Sequence, residues 1–345
     1  MSLHSMDRSE TERETDQMPA VAIVGELNVD LILERVNDLP ALEKERIAEG
    51  MTFTMGSSSA ILAANAGALG VSVGFVGRIG DDTFGDYMRE SLTERGVDTS
   101  CILETSGAAT GLTAIFTFRE ERGMLTYPGA MNEFTIDDIP WDYLERVQHL
   151  HLSSYYMQPG LRPDCPELFR RAKELGLSTS FDTNWDPDEK WGADVLDVLD
   201  YVDVFLPNDE EARLISGESD LDRALTVLTD RATTVVVTCG SEGVRARQGS
   251  DTLSLPALSV TPVDAVGAGD SFNAGFLKQY IKNKPLEDCL RYGMVTGAFS
   301  TLASGGTSAF DDMAAFKQFT HENRQYLTDA TIPEGAVSPS GEPQS

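Results

Sequence analysis

Apolar and polar positions along the chain follow two periods, and these predict its elements. Val21-Ala-Ile-Val24 is a short, wholly apolar run that stops at Gly25, the pattern of a strand covered on both faces. Ser57–Leu69 is small and apolar and predicts a tightly packed helix, and the β-rich Val71–Val76 predicts a strand. Asp82–Arg95 places Phe84, Tyr87, Met88 and Leu92 on one helical face. Further along come a strand at His149–Ser153, a helix at Pro166–Leu175, strands at Leu177–Phe181 and Val202–Leu206, a helix at Asp209–Ile215 and a strand at Thr234–Thr238. This alternation predicts an α/β fold with a mostly parallel sheet and helices on both faces. Ligands of such sheets bind beyond the carboxyl ends of the strands.

Two segments break the alternation. Residues 31–54 are irregular and partly extended. Thr110–Tyr127 alternates Leu112, Ala114, Phe116 and Phe118 ahead of a turn at Glu121-Arg122-Gly123, a hairpin pattern. The pattern fits two arrangements equally, a small separate sheet acting as a lid or an antiparallel extension of the main sheet. Residues 1–18 and 331–345 are expected to be disordered tails around one domain at 19–330, with lid segments near 31–54 and 110–130.

Composition narrows the function classes. The 345 residues carry 27 Lys plus Arg against 56 Asp plus Glu, a formal charge of −29, which disfavours nucleic-acid and anionic membrane partners. Cys101, Cys165, Cys239 and Cys289 form no C-x-x-C pair, and with four His in all a zinc site is not expected. Scattered free thiols and a polar Met1–Gln17 without an apolar stretch lead to an expected cytoplasmic location.

One motif stands out for chemistry. Asp264-Ala-Val-Gly-Ala-Gly-Asp-Ser-Phe272 precedes Phe276, Leu277 and Tyr280 at helical spacing, so a helix begins near Gly269 or Asp270. The first-turn amides and the positive end of its dipole suit an anion such as a phosphate, and a carboxylate there can take a proton from a hydroxyl. The plain alternative is an aspartate that caps the helix.

This stretch resembles the D-T-x-G-A-G-D-x-F signature of the ribokinase-like (PfkB) carbohydrate kinases, and other motifs follow in the family's order over roughly residues 20 to 320. The resemblance implies a three-layer αβα sandwich with a small β-sheet lid. It implies Asp270 as the base and the amides of Gly267, Ala268 and Gly269 as the anion hole. Gly25-Glu-Leu-Asn-Val-Asp30 is similar to the family's first strand and turn, which makes Asn28 and Asp30 candidate sugar ligands, with Gly56, Ser57 and Ser58 beside them. For the nucleotide, the resemblance points to Asn184 in Asp182-Thr-Asn-Trp-Asp-Pro187, Asn208 in Pro207-Asn-Asp-Glu-Glu-Ala212, and Thr238, Gly240 and Gly243 in Thr238-Cys-Gly-Ser-Glu-Gly243. Glu211 would reach Mg²⁺ through water. Asn208 and Glu211 also fit a helix capping box, and Thr238–Gly243 also fits a hairpin turn. Carbonyls of Asp264, Val266, Ser300 and Gly305 are candidate K⁺ ligands by the same resemblance.

The implied activity is transfer of the ATP γ-phosphate to a hydroxyl of a small carbohydrate, an alcohol-acceptor phosphotransferase using ATP and Mg²⁺, with K⁺ a further candidate and a homodimer through the lid a candidate assembly. Two alternatives stay open. One is a nucleoside kinase with Phe53, Phe116 or Tyr127 as a stacking platform. The other is a catalytically silent nucleotide- or sugar-binding regulator. The chain lacks both G-x-x-x-x-G-K-[ST] and G-x-G-x-x-G, which counts against P-loop and dinucleotide-binding readings. It departs from the family pattern twice: Ile61 falls where a signature Asn is usual, and Asp186 where an Arg is usual.

Overall fold

A computed structural model describes residues 19–328, apart from 37, 39–41, 119, 120 and 193. Both expected tails, 1–18 and 331–345, lie outside the described residues. The strands are β1 (Val21–Val24), β2 (Asn28–Glu34), β3 (Gly50–Met55), β4 (Val73–Gly80), β5 (Val97–Thr105), β6 (Gly111–Phe118), β7 (Glu121–Tyr127), β8 (His149–Leu152), β9 (Ser178–Phe181), β10 (Val204–Phe205), β11 (Thr234–Thr238), β12 (Val244–Gln248) and β13 (Asp251–Leu255). The helices are α1 (Ser58–Ala68), α2 (Thr83–Glu94), α3 (Trp141–Leu144), α4 (Cys165–Glu174), α5 (Asp194–Leu199), α6 (Asp209–Ser216), α7 (Leu221–Thr229), α8 (Ala268–Tyr280), α9 (Leu286–Ser300), α10 (Met313–Glu322) and α11 (Arg324–Thr328).

Nine strands form one sheet in the order β13-β12-β11-β10-β9-β8-β1-β4-β5. From β11 to β5 every neighbour is parallel, and β12 and β13 close one edge antiparallel. The strand period of two divides the apolar run of β1 between two cores. Val21 and Ile23 pack with Leu62 of α1, Leu92 of α2, Phe276 of α8 and Val295 of α9. Ala22 and Val24 pack with Phe169 of α4, Val198 of α5, Ile215 of α6 and Leu228 of α7. Burial on both faces is what a continuous apolar strand needs, and each large side chain so buried contributes about 1.5–3 kcal/mol.

The second sheet, β3-β2-β6-β7, stands apart from the first and settles the choice between lid and edge extension. It is not wholly antiparallel, because β2 pairs with β6 in parallel. The reason is connectivity: β2 leaves the carboxyl end of β1 and β6 follows β5, so both depart from the same edge of a parallel sheet in one direction. The antiparallel extension of the main sheet is built instead by β11, β12 and β13.

Side chains of the lid alternate between its faces. Asn28, Asp30 and Thr113 share one face, where Asn28 Nδ2 donates to Asp30 Oδ1 and Thr113 Oγ1 at 3.1 Å each. The opposite face carries Leu31, Phe53, Ala114 and Leu125 in one cross-strand row and Leu33, Met51 and Phe116 in the next. Phe53 also packs on Phe84 and Tyr87 of α2, with ring centroids 5.6 and 5.0 Å apart.

One polar ladder crosses the core. His149 and His151 of β8 are fully buried, and adjacent β9 supplies Ser178 and Ser180 in register with them. Hydrogen bonds run from Ser178 through His149 to Ser180, then through His151 to Ser153, at 2.6–2.8 Å. Burial holds both imidazoles neutral, pushed down to about 3. A depressed folded value means that unfolding takes up protons once the pH falls below the ordinary value near 6.5. The stability present above that pH is therefore lost progressively toward pH 3. Urea unfolding of H149Q/H151Q beside the parent checks this: between pH 6.5 and 5 the parent should lose up to about 1.4 kcal/mol per pH unit for each histidine relative to the variant.

Candidate active site

The carboxyl ends of the parallel strands bring five loops to one edge. Backbone bonds lock them in step: Gly25 N–H donates to Val76 O, Asp182 N–H to Leu152 O, Leu206 N–H to Phe181 O and Thr238 N–H to Pro207 O, at 2.9–3.1 Å. The amino end of α8 joins this edge. It begins where Gly267 takes a left-handed φ of 71°, and a Cβ there would lie 2.6 Å from Gly306 Cα and 3.1 Å from Ile61 Cγ2. Only glycine fits both the conformation and the space. Asp264 ties the loop entering α8 to the loop after α9, accepting from Val266 N at 3.0 Å and Gly305 N at 2.9 Å. Ser300 closes α9 with its hydroxyl turned inward to Gly297 O at 2.8 Å.

The expected three-amide anion hole is rearranged. The tight turn directs Ala268 N–H to Ala265 O at 3.3 Å, whereas the amides of Gly267, Gly269 and Asp270 have no backbone partner among the described residues. A Cβ on Gly269 would meet nothing within 4 Å, so the backbone is open to a ligand there.

Asp270 is buried in the first turn of α8, and Ser58 of α1 donates to its Oδ1. Burial pushes its carboxyl well above the usual range; the Ser58 hydrogen bond opposes this, and the charges of Asp182, Glu26 and Asp30 add to it. Asp30 is raised to about 7, by burial first, with the Asn28 hydrogen bond opposing. Burial also raises Glu211, assisted by the charges of Asp182 and Asp270, and it raises Asp182 itself. Among the described residues no group of three or more His, Cys, Asp or Glu side chains forms a metal cage. A set of buried carboxylates without a cage suits a hydrated divalent ion carried in with phosphate oxygens.

The remaining candidates fall around this centre. Gly56 lies under the lid residues, where a Cβ would sit 2.1 Å from Asp30 Oδ1 and 2.6 Å from Asn28 Nδ2. Ser57 is occupied as the α1 N-cap, accepting from Ala60 N at 2.9 Å and donating to Glu26 O at 2.6 Å. Asn184, at φ 54°, accepts from Ser154 N at 2.9 Å, and its own N–H donates to Asp182 Oδ1 at 3.0 Å. Asn208 and Glu211 form the capping box of α6, and Asn208 bridges to Thr238. Gly240 and Gly243 bound the turn from β11 to antiparallel β12, so the hairpin reading of that loop holds.

Both departures from the family pattern have structural explanations. Ile61 is buried against Gly267 and Gly306, filling the space beneath the α8 turn. Asp186 organises its own loop, accepting from Asp188 N at 3.0 Å and from Lys190 N and Trp191 N at 2.9 Å each. The aromatic platform expected of a nucleoside kinase does not form over Asp30, because Phe53, Phe116 and Tyr127 lie on the other lid face. An open hollow of about 440 Å³ lined by Phe84, Thr110, Leu112 and Tyr127 lies at the root of the lid, and none of the site carboxylates lines it.

Residues passed over in the sequence also belong to this edge. Asn65 of α1 donates to Ser271 Oγ and Gly306 O at 2.9 Å, and Asn273 of α8 donates to Asp182 Oδ2 at 2.7 Å. Behind them Glu26 is buried directly after β1. Polar residues inside apolar helices, and an acid at the end of a buried strand, were the signals available for them.

Comparison with known proteins agrees with this geometry. The pfkB family of carbohydrate kinases matches residues 18–313. The ATP-dependent ribose-1-phosphate kinase of Halopiger xanaduensis is 30% identical over 310 residues, covering 87% of this chain and 98% of its own. Arabidopsis thaliana ribokinase, solved with ribose and ATP, superposes with a TM-score of 0.77 at 20% identity, covering 88% of this chain and 98% of its own. An E. coli protein of the ribokinase II type, solved with ATP and Mg²⁺, also gives 0.77, at 21% identity and with 88% and 100% covered. With its αβα sandwich, separate lid and buried aspartate at a glycine-opened helix, the chain belongs to the pfkB family of carbohydrate kinases.

Proposed function

We propose that this kinase transfers the γ-phosphate of ATP to a hydroxyl of a small carbohydrate, with Asp270 as general base. The observation that carries this reading is Asp270 buried at the amino end of α8, beside unpartnered backbone amides. Asn28 and Asp30 hold hydroxyls of the acceptor from the inner lid face. Asp270 accepts the proton of the attacking hydroxyl. The N–H groups of Gly267 and Gly269 and the positive end of the helix dipole meet the charge on the transferred group. Asn184, Asn208 and the turn at Thr238, Gly240 and Gly243 line the nucleotide side. Glu211 and Asp182 would hold waters of a Mg²⁺ ion, which when bound neutralises phosphate charge. The loops joined by Asp264, with Val266, Ser300 and Gly305, offer the carbonyls for a monovalent cation. The ribose, ribose-1-phosphate and ATP named for the relatives support a pentose-like acceptor as the first to try.

A second copy of the chain would cover the outer lid face. Met51 and Leu125 are 67% and 70% exposed there, and the partner's own lid would remove them from water.

Three outcomes are expected. Asp270→Asn should lower kcat by about 10²–10⁴-fold while ATP binding by calorimetry and the melting temperature hold; retained turnover would remove Asp270 from this role. Only ionised Asp270 can accept the proton and burial raises it, so kcat/KM should fall with an acid limb well above pH 4, whereas a limb near pH 4 would mean a solvated base. M51K/L125K should sediment as a monomer where the parent sediments as a dimer; a monomeric parent would leave the lid face unpaired.

A further inference from the structure

Glu26 sits behind the reacting groups, and none of the steps above uses it. It is 4% exposed and directly follows β1. Its carboxyl meets two hydroxyls: Ser59 Oγ of α1 at Oε2, and Ser154 Oγ, beyond β8, at Oε1 at 2.8 Å. Gly25 makes room for this, since a Cβ there would lie 1.9 Å from Ser59 Oγ. No Lys, Arg or His among the described residues bonds to the carboxyl. The charged groups around it are Asp30 of the lid, Asp182 after β9 and Asp270 of α8, all acidic.

Hydrogen counting at Ser154 admits both forms of Glu26, because Asn184 Oδ1 already accepts from Ser154 N at 2.9 Å. Ser154 has one hydroxyl proton and two acceptors within reach, Glu26 Oε1 at 2.8 Å and Asn184 Oδ1 at 3.2 Å. An ionised Glu26 is acceptor-only and competes for that proton. A protonated Glu26 donates its O–H to Ser154 Oγ, which frees the Ser154 proton for Asn184 Oδ1. Ser59 donates to the other oxygen in either form. Every group is satisfied in either form, so the choice falls to charge: a carboxylate 4% exposed, with no cation bonded to it and Asp30, Asp182 and Asp270 around it, is favoured in its neutral form.

We propose that Glu26 is a neutral carboxylic acid that positions both halves of the site, holding Asn184 through Ser154 and, through Ser59, the first turn of α1 where Ser58 meets Asp270. The chain of contacts closes on itself. Asn184 N–H donates to Asp182, and Asp182 accepts from Asn273, one turn after Asp270 on α8. Burial raises the Glu26 carboxyl, in agreement with this arrangement. The positioning role rests on the kinase reading above; the protonation state does not.

The two parts are tested separately on the full chain. Glu26→Gln reproduces the neutral pattern, with its amide N–H toward Ser154 and its carbonyl toward Ser59. A carboxyl raised in the folded state contributes stability below the unfolded value near 4.3 and loses it as the pH rises. Urea unfolding between pH 5 and 7 should therefore shift the ratio of folding constants toward E26Q as the pH rises, by up to about tenfold per pH unit. Parallel pH dependences of the two proteins would overturn the neutral acid. In sugar-kinase assays E26Q should keep kcat within about threefold with an unmoved acid limb, while E26A and E26D lose about tenfold or more through misplacement. Loss of kcat in E26Q, or an acid limb displaced downward, would overturn the positioning role by showing that a charge acts there. If the parent phosphorylates no sugar, the kinase reading fails, and the unfolding comparison still decides the state of Glu26.

Discussion

Negative charge buried at the ends of parallel strands is the constraint on which this structure turns. Glu26, Asp30, Asp182, Glu211 and Asp270 are all buried at one edge of the sheet. Among the described residues no ion pair joins any of them to Lys or Arg. Removing a carboxylate from water without a partner costs several kcal/mol, so the fold must supply hydroxyls, amide N–H groups and helix ends, or shift the groups toward their neutral forms. It does both. Ser58, Ser59 and Ser154 donate, Asn28 and Asn273 donate, α6 and α8 present their amino ends, and the carboxyl groups rise.

The lid answers a second constraint, that a four-stranded sheet cannot satisfy both faces alone. Its inner face carries Asn28, Asp30 and Thr113, with the buried Ile32 and Ile115 beyond them on the same strands. Its outer face is apolar, and Phe53 there packs on two rings of α2. The period of two thus separates hydrogen-bonding side chains from an apolar row on the same strands. The same alternation places the aromatic residues of the lid away from the acceptor.

Departures from the family pattern are absorbed locally. Ile61 fills volume that Gly267 and Gly306 leave, so an apolar side chain becomes part of the support under the α8 turn. Asp186 spends its oxygens on three backbone amides of its own loop. In both cases the side chain that breaks the motif serves the backbone around it.

The sequence by itself determined the α/β alternation, most of the elements it named to within one or two residues, a helix opening near Gly269 or Asp270 and the capping box of Asn208 and Glu211. These are local features: side-chain period, glycine at a left-handed turn, and a short polar spacing. The family resemblance then ordered the motifs around Asp270. Tertiary structure alone decided that β2 and β6 run parallel, that Ala268 turns its amide inward, that Ser57 is consumed as a cap, and that Glu26, Asn65 and Asn273 join the site. The strand pairing and the three added residues depend on partners about 80 to more than 200 residues away, such as Ser154 for Glu26 and Gly306 for Asn65. Hydrogen-bond satisfaction in a buried interior is settled by whichever groups the packing brings together, and spacing along the chain carries no record of that choice.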